Sequence, residues 1–567
     1  MKRASLVDPD RYLGSITQVG ASIIQINMPH ATAHPERRSL ARGVVGEFVF
    51  VDCETIKLLG RIVEARIPDI ERLTVEPALG KIPPTNPIGK VQLLATIDHL
   101  TNKLLRGLRE HPRIGDAVYL ADSVLLGDLF ANALHVEGDL TVRVGVLDAG
   151  SRVELRLQPE RLFGRHCGVF GATGGGKSWT VASLISQIKA AGGKAIIFDP
   201  TGEFGGVADI SKHYAFDSDE PGTIRVHFPY RKTTEDDLFA LFRPGGQSQG
   251  PKLREAVRSL KLVEAVRGRN HGLTIYQERM VTKRKKARGV FFSEVHTHSL
   301  TLHNTICDFD IQNLADQLTA ECVYSTDRDN LLNFGDADHQ ALSHCESLIS
   351  RIRTLIHSAE LGCLFATEGP SLAQVLDDFI ATDDDDVIRI SFKNVRFEHN
   401  TREILMNVIG RYLLGRARSD AFRDRPMIAI LDEAHQFLGR SIGDEYVSVR
   451  LESFGLIAKE GRKYGLTCVL ATQRPRDVPA DVLSQLGTFI VHRLTNDDDR
   501  QAVERACGDL DRNAALFIPT LAPGEAIIIG PGLPAPVPVM IHEPASPPNS
   551  KGPNYKSFWS SRNRPAG

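Results

Sequence analysis

A glycine-rich segment that ends in lysine and serine carries the strongest chemical signal in the sequence. It comprises Gly171, Ala172, Thr173, Gly174, Gly175, Gly176, Lys177 and Ser178, followed by Trp179, and it matches the pattern G-x-x-x-x-G-K-[ST]. Glycines let backbone N–H groups surround phosphate oxygens, and a helix that begins here points its positive end at the same anion. The lysine reaches the β- and γ-phosphates, and the serine supplies an oxygen to Mg²⁺. The segment therefore predicts a site for ATP and Mg²⁺.

Two carboxylates at the end of an apolar run are the second signal. Asp432 and Glu433 follow the apolar residues 428–431. An acidic residue at a strand end orients Mg²⁺ in P-loop enzymes, so Asp432 is predicted to act with Ser178 at the metal. Glu433 is predicted to accept the proton of the attacking water. His435 completes the string D-E-A-H and is assigned no chemistry, because such a histidine more often packs or caps.

Polar residues that follow two further apolar strands are predicted to face the same crevice. The carboxyl ends of parallel strands line the ligand site of an α/β sheet. Asp199 and Glu203, in DPTGEF, are placed to reach Mg²⁺ or the nucleophilic water. Gln473, in ATQRP, is placed to sense the γ-phosphate and hold the water. The alternative for both segments is a turn with incidental polar residues.

Two arginines outside these motifs are candidates for contact with the phosphates. Arg462 stands beside Lys463 where a predicted helix ends, in EGRKYG. Such cations also stabilise a helix through its dipole, which is the alternative interpretation. The functional interpretation is an arginine finger that enters the ATP site of a neighbouring subunit and contributes about 10³–10⁵ in rate. Arg165, just before the strand that leads to the glycine-rich loop, is a further candidate.

The elements that must position these residues fall into distinct patterns. Short β-branched stretches between turn signals fill residues 14–160 and predict an all-β unit, barrel or sandwich. Strands and helices then alternate, which implies a parallel sheet, and a long polar stretch of helical periodicity interrupts them. A Pro-rich C-terminal segment carries Lys551, Lys556, Arg562 and Arg564 and is predicted to be a disordered tail. The predicted units are a β unit (1–158), the first part of an α/β core (159–230), a helical insertion (231–386), the second part of the core (387–532) and the tail (533–567).

Composition excludes several classes of protein. The 567 residues include 68 Lys and Arg against 70 Asp and Glu, a net charge of −2. That balance excludes a histone-like coat on nucleic acid and leaves a local basic channel possible. Eight cysteines without a C-x-x-C pair favour a reducing compartment. The N-terminus lacks a signal-type apolar region and no run approaches the roughly 18 residues of a membrane span, so a cytoplasmic protein is predicted.

Taken in order, the motifs resemble the HerA ATPases of the HerA/FtsK branch of P-loop translocases. The resemblance covers about residues 10–540 and rests on LFGRHCGVFGATGGGKS, DPTGEF, LDEAHQFL, EGRKYGLTCVLATQRP and SQLGTFIVHRLTNDDD. It implies an α/β fold in which a β-barrel of the HAS type precedes a RecA-like P-loop ATPase domain with a helical insertion. It also implies the family's nucleotide roles for Lys177, Ser178, Asp432, Glu433 and Gln473, its acidic pair at Asp199 and Glu203, and a trans-acting finger at Arg462, with Arg450, Lys463 and Arg474 as competitors.

The resemblance further implies partners. Family members form a homo-hexameric ring around double-stranded DNA, with ATP at the subunit interfaces. They act with a separate effector, a NurA-type nuclease in archaea, and in bacteria often a nuclease or a sirtuin-like NAD⁺ hydrolase that defends against phage. This sequence contains no effector motif of its own, so the effector is expected to be a separate chain.

Alternative functions and DNA contacts remain open at this point. A ring scaffold that activates an effector with little translocation, or a conjugation- or secretion-type pumping ATPase, shares the same motifs. An ABC-type ATPase is disfavoured because no LSGGQ-like signature occurs, and a small-molecule kinase because the Asp432–Glu433 pair suits water activation. Arg440 is a pore-loop candidate for DNA. The densest basic run is either a phosphate-contacting surface or, as favoured, a solvated face: Arg279, Lys283, Arg284, Lys285, Lys286 and Arg288.

Overall fold

Two β structures, a closed barrel and a long mixed sheet, organise the chain. A computed structural model describes residues 6–29, 31, 43–67, 86–98, 101, 103–134, 140–147, 153–216, 221–366, 369–383, 386–396, 398–438, 440–443, 448–508, 515–549, 555 and 559. The predicted α/β class, with an N-terminal barrel followed by a sheet that alternates with helices, is confirmed.

The barrel is built from antiparallel strands of the first 120 residues. Its strand order is β2-β1-β7-β3-β4-β5, and pairing of β2 with β5 closes the ring, while β6 extends β5 on the outside. Closure removes the open edges that a sandwich would keep. The strands are β1 (Tyr12–Val19), β2 (Ile23–Asn27), β3 (Phe48–Asp52), β4 (Lys57–Arg66), β5 (Ile88–Ile97), β6 (Leu104–Arg106) and β7 (Ala117–Leu120).

Strand β3 shows how the barrel joins the rest of the molecule. Its side chains alternate, and Val49 and Val51 fill the barrel interior with Ile24 and Ile62. Phe48 and Phe50 point to the opposite face and belong to a second core that continues into the long mixed sheet. The barrel therefore packs against the sheet and is more than a tethered unit.

The mixed sheet has twelve strands, in the order β13-β12-β16-β11-β17-β20-β10-β21-β22-β23-β8-β9. Neighbours from β13 to β21 are parallel, and those from β21 to β9 are antiparallel. Two short hairpins lie outside it. The strands are β8 (Val142–Leu147), β9 (Glu154–Leu157), β10 (Cys167–Phe170), β11 (Lys194–Asp199), β12 (Lys212–Ala215), β13 (Thr223–Arg225), β14 (Ile275–Tyr276), β15 (Met280–Val281), β16 (Val387–Ser391), β17 (Met427–Leu431), β18 (Arg440–Gly443), β19 (Ser448–Leu451), β20 (Leu466–Thr472), β21 (Thr488–Val491), β22 (Glu525–Ile529) and β23 (Val537–Ile541).

Helices connect the strands, and most of those between β13 and β16 form the interrupting segment. That segment shares one large core with the sheet and adds a small core of its own. The helices are α1 (Ser123–Leu134), α2 (Pro159–Phe163), α3 (Lys177–Ala190), α4 (Glu235–Phe242), α5 (Gly246–Val266), α6 (Arg288–Thr297), α7 (Ser299–Leu302), α8 (Leu314–Ala320), α9 (His339–Ile356), α10 (Gly362–Phe365), α11 (Leu372–Ala381), α12 (Thr401–Arg418), α13 (Ser453–Glu460), α14 (Ala480–Leu483) and α15 (Asp497–Ala506).

Two predicted boundaries are wrong, because long-range pairing recruits strands from both ends of the chain. Strands β8 and β9, assigned by sequence to the N-terminal β unit, hydrogen-bond onto the mixed sheet. Strand β23, assigned to the disordered tail, pairs with both β22 and β8. The tail lysines and arginines lie outside the described residues.

Two further observations bear on the predicted compartment. All eight cysteines are free and buried. In the described part of the chain, none of the helices has both the length and the apolar character that a bilayer crossing requires.

Candidate nucleotide-binding site

The glycine-rich loop joins the end of β10 to the start of α3, as predicted. Gly174 and Gly176 have φ of +77° and +113°, which glycine adopts without a steric cost. A Cβ on Gly176 would also lie 3.2 Å from the backbone nitrogen of Gly524. The loop is thus held in a conformation that needs glycine at both places.

Lys177 meets the predicted acidic pair directly. Its Nζ donates to Asp432 Oδ1 at 2.9 Å and to Glu433 Oε1 at 2.6 Å. All three side chains are buried. Because β17 and β10 are separated by only β20 in the sheet, their carboxyl ends bring residues 255 positions apart into contact.

One cation faces two carboxylates in this buried cluster. Burial raises the pKa of Asp432 to about 7, although the Lys177 ammonium acts to lower it. Burial also acts to lower the pKa of Lys177, but the two carboxylates outweigh this effect and raise it above the usual range. Lys177 therefore stays protonated and offsets one of the two carboxylate charges.

Glu433 is held in an uncommon backbone conformation. Its φ of 46° lies in the left-handed region, which non-glycine residues adopt at a cost. The His435 Nδ1 atom lies 3.3 Å from Glu433 Oε2 and 2.9 Å from Thr472 Oγ1. The sequence assigned no chemistry to His435, and the structure places its ring beside Glu433 Oε2, which has no hydrogen-bond partner among the described residues.

Two more hydrogen bonds gather the other predicted residues at the same edge. Ser178 Oγ donates to Glu203 Oε2 at 2.9 Å. Thr173 Oγ1 donates to Gln473 Oε1 at 2.7 Å. Trp179, in the first turn of α3, is 37% exposed. The structure thus brings together the side chains that the sequence placed after four different strands.

Asp199 is a correction to the predicted nucleotide contacts. Its carboxylate is fully buried and pairs with Arg389 Nε at 2.7 Å. It also accepts from the backbone N–H groups of Gly202 at 2.7 Å and Phe204 at 3.1 Å. These bonds saturate the carboxylate, so Asp199 shapes the loop that presents Glu203 and does not face the nucleotide.

His492, which was not predicted as a site residue, contacts the glycine-rich loop and helix α3. Its Nδ1–H donates to the Glu525 carbonyl at 2.8 Å, which leaves Nε2 to accept from Thr180 Oγ1 at 2.7 Å. A Cβ on Gly171 would lie 2.7 Å from His492 Cβ. The only sequence signal was a histidine after the buried strand TFIV, in the segment SQLGTFIVHRL.

The residues at this edge fit ATP and Mg²⁺. Asp432 Oδ2 is buried and has no hydrogen-bond donor among the described residues, so an oxygen ligand is left for a cation. Mg²⁺ is typically held by one or two carboxylates together with substrate phosphates. Within the described ranges no group of three or more His, Cys, Asp or Glu side chains forms a metal cage. A Mg²⁺ ion that is held partly by the phosphates of ATP does not need such a cage.

Arg165 and Arg462 lie at the opposite edge of the sheet. Arg165 precedes β10 and Arg462 precedes β20, so both are at the amino ends of the strands. The four residues of β10 span about 13 Å, which places both guanidinium groups beyond reach of the glycine-rich loop of the same chain. Arg165 therefore cannot contact the nucleotide bound by its own subunit.

Both arginines line one cavity of about 880 Å³ at that edge. Neither side chain has an ion-pair or hydrogen-bond partner within the described part of the chain. Other cations of the cavity are occupied, since Arg425 pairs with Asp383 at 2.9 Å and Lys194 donates to the Phe379 carbonyl at 2.6 Å. Two free guanidinium groups thus remain to bind an anion supplied from outside the chain.

The turn that carries Arg462 is fixed in place. Gly465 ends it with φ of +77°, and a Cβ there would lie 2.0 Å from the Phe422 carbonyl oxygen. Lys463 shares this turn and is also exposed. Arg474, the other competitor, lies beside Gln473 at the glycine-rich edge, 3.8 Å from Asp477.

Three cations of the basic run in the interrupting segment form ion pairs within the chain. Lys283 is buried in an ion pair with Glu321, and Lys285 Nζ lies 3.2 Å from Asp327 Oδ2. Arg284 pairs with Asp336. These contacts agree with the favoured alternative to DNA contact. The side chain of Arg440 lies outside the described residues.

The burial of His492 predicts a pH-dependent stability. Burial lowers the pKa of His492 from 6.5 to about 4. An unfolded histidine takes up a proton below pH 6.5 and the folded one only near pH 4, so the free energy of unfolding falls as the pH drops through this window. Between pH 7 and pH 5 this group is expected to remove about 2 kcal/mol of stability.

A His492→Gln chain isolates the effect. Its free energy of unfolding, from urea titration, should fall about 2 kcal/mol less between these pH values than that of the wild type. Asp432, whose pKa is raised, acts in the opposite direction in both chains and cancels in the comparison. An equal pH dependence in the two chains would contradict a neutral buried imidazole.

Comparison with known proteins gives consistent matches. A family model described as the central domain of helicase HerA matches residues 142–330. The DNA double-strand break repair helicase HerA of Sulfurisphaera tokodaii is 24% identical over 506 residues, covering 86% of this chain and 86% of that protein. The helicase of the same name from Pyrococcus furiosus is 23% identical over 460 residues, covering 76% of this chain and 73% of that protein.

Two solved structures are also similar. VirB4 of Thermoanaerobacter pseudethanolicus aligns with a TM-score of 0.45 at 14% identity, covering 72% of this chain and 97% of that one. The bacterial conjugative coupling protein TrwBdeltaN70 aligns with a TM-score of 0.43 at 15% identity, covering 75% of this chain and 94% of that one.

Proposed function

We propose that the chain is a HerA-type P-loop ATPase, in accord with its match to the HerA central domain and its similarity to HerA helicases, and that it is a ring-shaped motor that moves along double-stranded DNA. ATP hydrolysis is the reaction of this family. The proposal adds a homo-hexameric assembly, DNA in its central channel, and a separately encoded effector.

Each residue at the glycine-rich edge has a defined part in hydrolysis. The loop amides and Lys177 bind the phosphates, Ser178 and Asp432 hold Mg²⁺, and bound Mg²⁺ neutralises charge on the phosphate oxygens. Glu433 accepts the proton of the attacking water, since its carboxylate is buried beside the loop and oriented by His435. Gln473 holds that water. Glu203 orients the Ser178 hydroxyl.

ATP competes for a lysine that is already paired. Without nucleotide, Lys177 donates to both Asp432 and Glu433. When the phosphates attract Lys177, the two carboxylates lose their counter-charge and become available to the metal and the water. The arrangement keeps the general base engaged until ATP is bound.

The distribution of the site over two edges carries the proposal of a ring. The phosphate loop and general base stand at one edge of the sheet, and two unpartnered arginines line a cavity at the other. A complete site forms only when the cavity edge of one copy meets the loop edge of the next. Such head-to-tail contacts close into rings.

The proposal also includes the effector and the cellular setting. Relatives named double-strand break repair helicases favour DNA end processing. The earlier resemblance to bacterial members favours anti-phage defence, with a nuclease or a sirtuin-like NAD⁺ hydrolase as effector. A cytoplasmic location accords with eight reduced thiols. The neighbouring open reading frame distinguishes the two effectors.

Ring assembly and movement are tested together. Negative-stain images should show six-fold rings, duplex DNA should stimulate ATP turnover, and the protein should displace a third strand from a DNA triplex in an ATP-dependent manner. Lys177→Ala is the matched control, and it should form rings without displacement. Rings with DNA-independent turnover and no displacement would favour the scaffold, and displacement by Lys177→Ala would contradict the motor.

A further inference from the structure

The chain returns to the nucleotide site after its last strand. The backbone N–H of Asn549 donates to the carbonyl oxygen of Glu203 at 2.8 Å. Glu203 is the residue whose carboxylate accepts from Ser178. Residues 542–549, here called the C-terminal latch, therefore end one hydrogen bond away from a residue proposed to orient a Mg²⁺ ligand.

The latch is anchored at both ends. Its beginning follows β23, which is paired on both sides within the sheet. His542 Nε2 lies 3.5 Å from Glu154 Oε1 on β9. Pro544 and Pro548 are buried. Proline fixes φ and limits the unfolded alternatives of the segment, so the latch acts as a stiff connector between the sheet and the Glu203 loop.

Two independent contacts define the backbone of Glu203. Asp199 holds the preceding Gly202 and the following Phe204 by their N–H groups, and Gly202 has φ of +86°. The Phe204 N–H and the Glu203 carbonyl belong to one planar peptide unit, so this unit is held by Asp199 on one side and by the latch on the other. Loss of the latch contact would leave the peptide held from one side only and free it to shift relative to Ser178.

We propose that the C-terminal latch is a positioning element for hydrolysis, which holds Glu203 so that its carboxylate orients Ser178 toward Mg²⁺. The inference rests on the role of Glu203 given under the proposed function. Its action passes through Glu203, so the latch itself touches no substrate atom.

The test removes one donor and keeps the side chain small. Asn549→Pro lacks the backbone N–H, and Asn549→Ala retains it. Affinity for ADP is measured by calorimetry with and without Mg²⁺. The measured quantity is the ratio of the ADP dissociation constant without Mg²⁺ to that with Mg²⁺. In Asn549→Pro this ratio should fall about tenfold, because loss of a residue that supports a metal ligand typically lowers metal affinity 10- to 100-fold. The affinity without Mg²⁺ should be unchanged, and Asn549→Ala should match the wild type in both measurements.

Deletions provide a second measurement that does not depend on proline. Removal of residues 544–567 should reproduce the defect, whereas removal of residues 550–567 should leave Mg²⁺-dependent binding intact. Melting temperatures establish that each chain is folded. Normal Mg²⁺-dependent binding in both Asn549→Pro and the longer deletion would overturn the proposal.

A double-mutant comparison tests the route through Glu203. If the latch acts through Glu203, Asn549→Pro should have no further effect in a Glu203→Gln background. Additive effects would overturn the proposal. Glu203→Gln with wild-type turnover and Mg²⁺ response would overturn the assigned role of Glu203 and the latch with it, whereas an impaired Glu203→Gln beside an unaffected Asn549→Pro would overturn the latch alone.

Discussion

Replacement of Arg462 by alanine is expected to lower ATP turnover about 10³- to 10⁵-fold while ATP binding is retained. The arginine is absent from its own subunit's phosphate site and has no partner in the described part of the chain, so it is free to stabilise the charge that develops on a neighbour's phosphates. Single-turnover hydrolysis and binding of an ATP analogue measure the two effects separately. Arg425→Ala is the matched control, because Arg425 lines the same cavity and is already paired with Asp383.

Mixed rings test whether the arginine acts between subunits. An Arg462→Ala chain keeps an intact phosphate loop, and a Lys177→Ala chain keeps an intact arginine. In rings mixed at equal ratio, about a quarter of the interfaces contain both intact parts, so turnover should recover to about a quarter of the wild-type value if sites act independently. No recovery in rings shown to be mixed would exclude Arg462 as the trans-acting residue and turn attention to Arg165.

Glu433→Gln is expected to lower turnover about 10²- to 10⁴-fold with ATP binding and ring assembly intact. Glutamine preserves the shape of the side chain and an oxygen for Lys177, and it removes the group that accepts the proton of water. Turnover is measured by phosphate release at saturating ATP. Turnover within a few-fold of the wild type would show that another group activates the water.

His435→Ala accompanies that measurement. The imidazole lies against Glu433 and Thr472, and its loss should weaken turnover less than the loss of the carboxylate. Burial lowers the pKa of His435, so the neutral ring is the form that orients the carboxylate near neutral pH. A defect equal to that of Glu433→Gln would assign the proton transfer to the histidine.

Local patterns were sufficient to predict most of the site. The glycine-rich loop, the Asp432–Glu433 strand end and Gln473 each depend on a short segment and on the rule that parallel strands present their carboxyl ends together. The structure joins them as expected, through Lys177 and Thr173. The strand pattern likewise identified the barrel strands, although it also assigned β8 and β9 to the N-terminal unit.

Contacts between distant segments could not be predicted in the same way. Nothing in DPTGEF indicates that Arg389 neutralises Asp199 from 190 residues away, and without that knowledge both acids in the segment looked equally available. The antiparallel addition of β8, β9 and β23 depends on which outermost strand of the sheet is left unpaired, and this is a property of the completed fold. His492 was overlooked for the same reason, because its role arises from the loop above it.

The buried thiols have a practical consequence for observing the motor. Burial raises the pKa of Cys53, Cys167, Cys307, Cys322 and Cys468 to about 12. At neutral pH these groups supply almost no thiolate, the species that reacts with maleimides. A cysteine introduced at Leu300, which is 91% exposed, would be labelled selectively without removal of the native cysteines. Dye pairs attached in this way can report subunit exchange in the proposed rings.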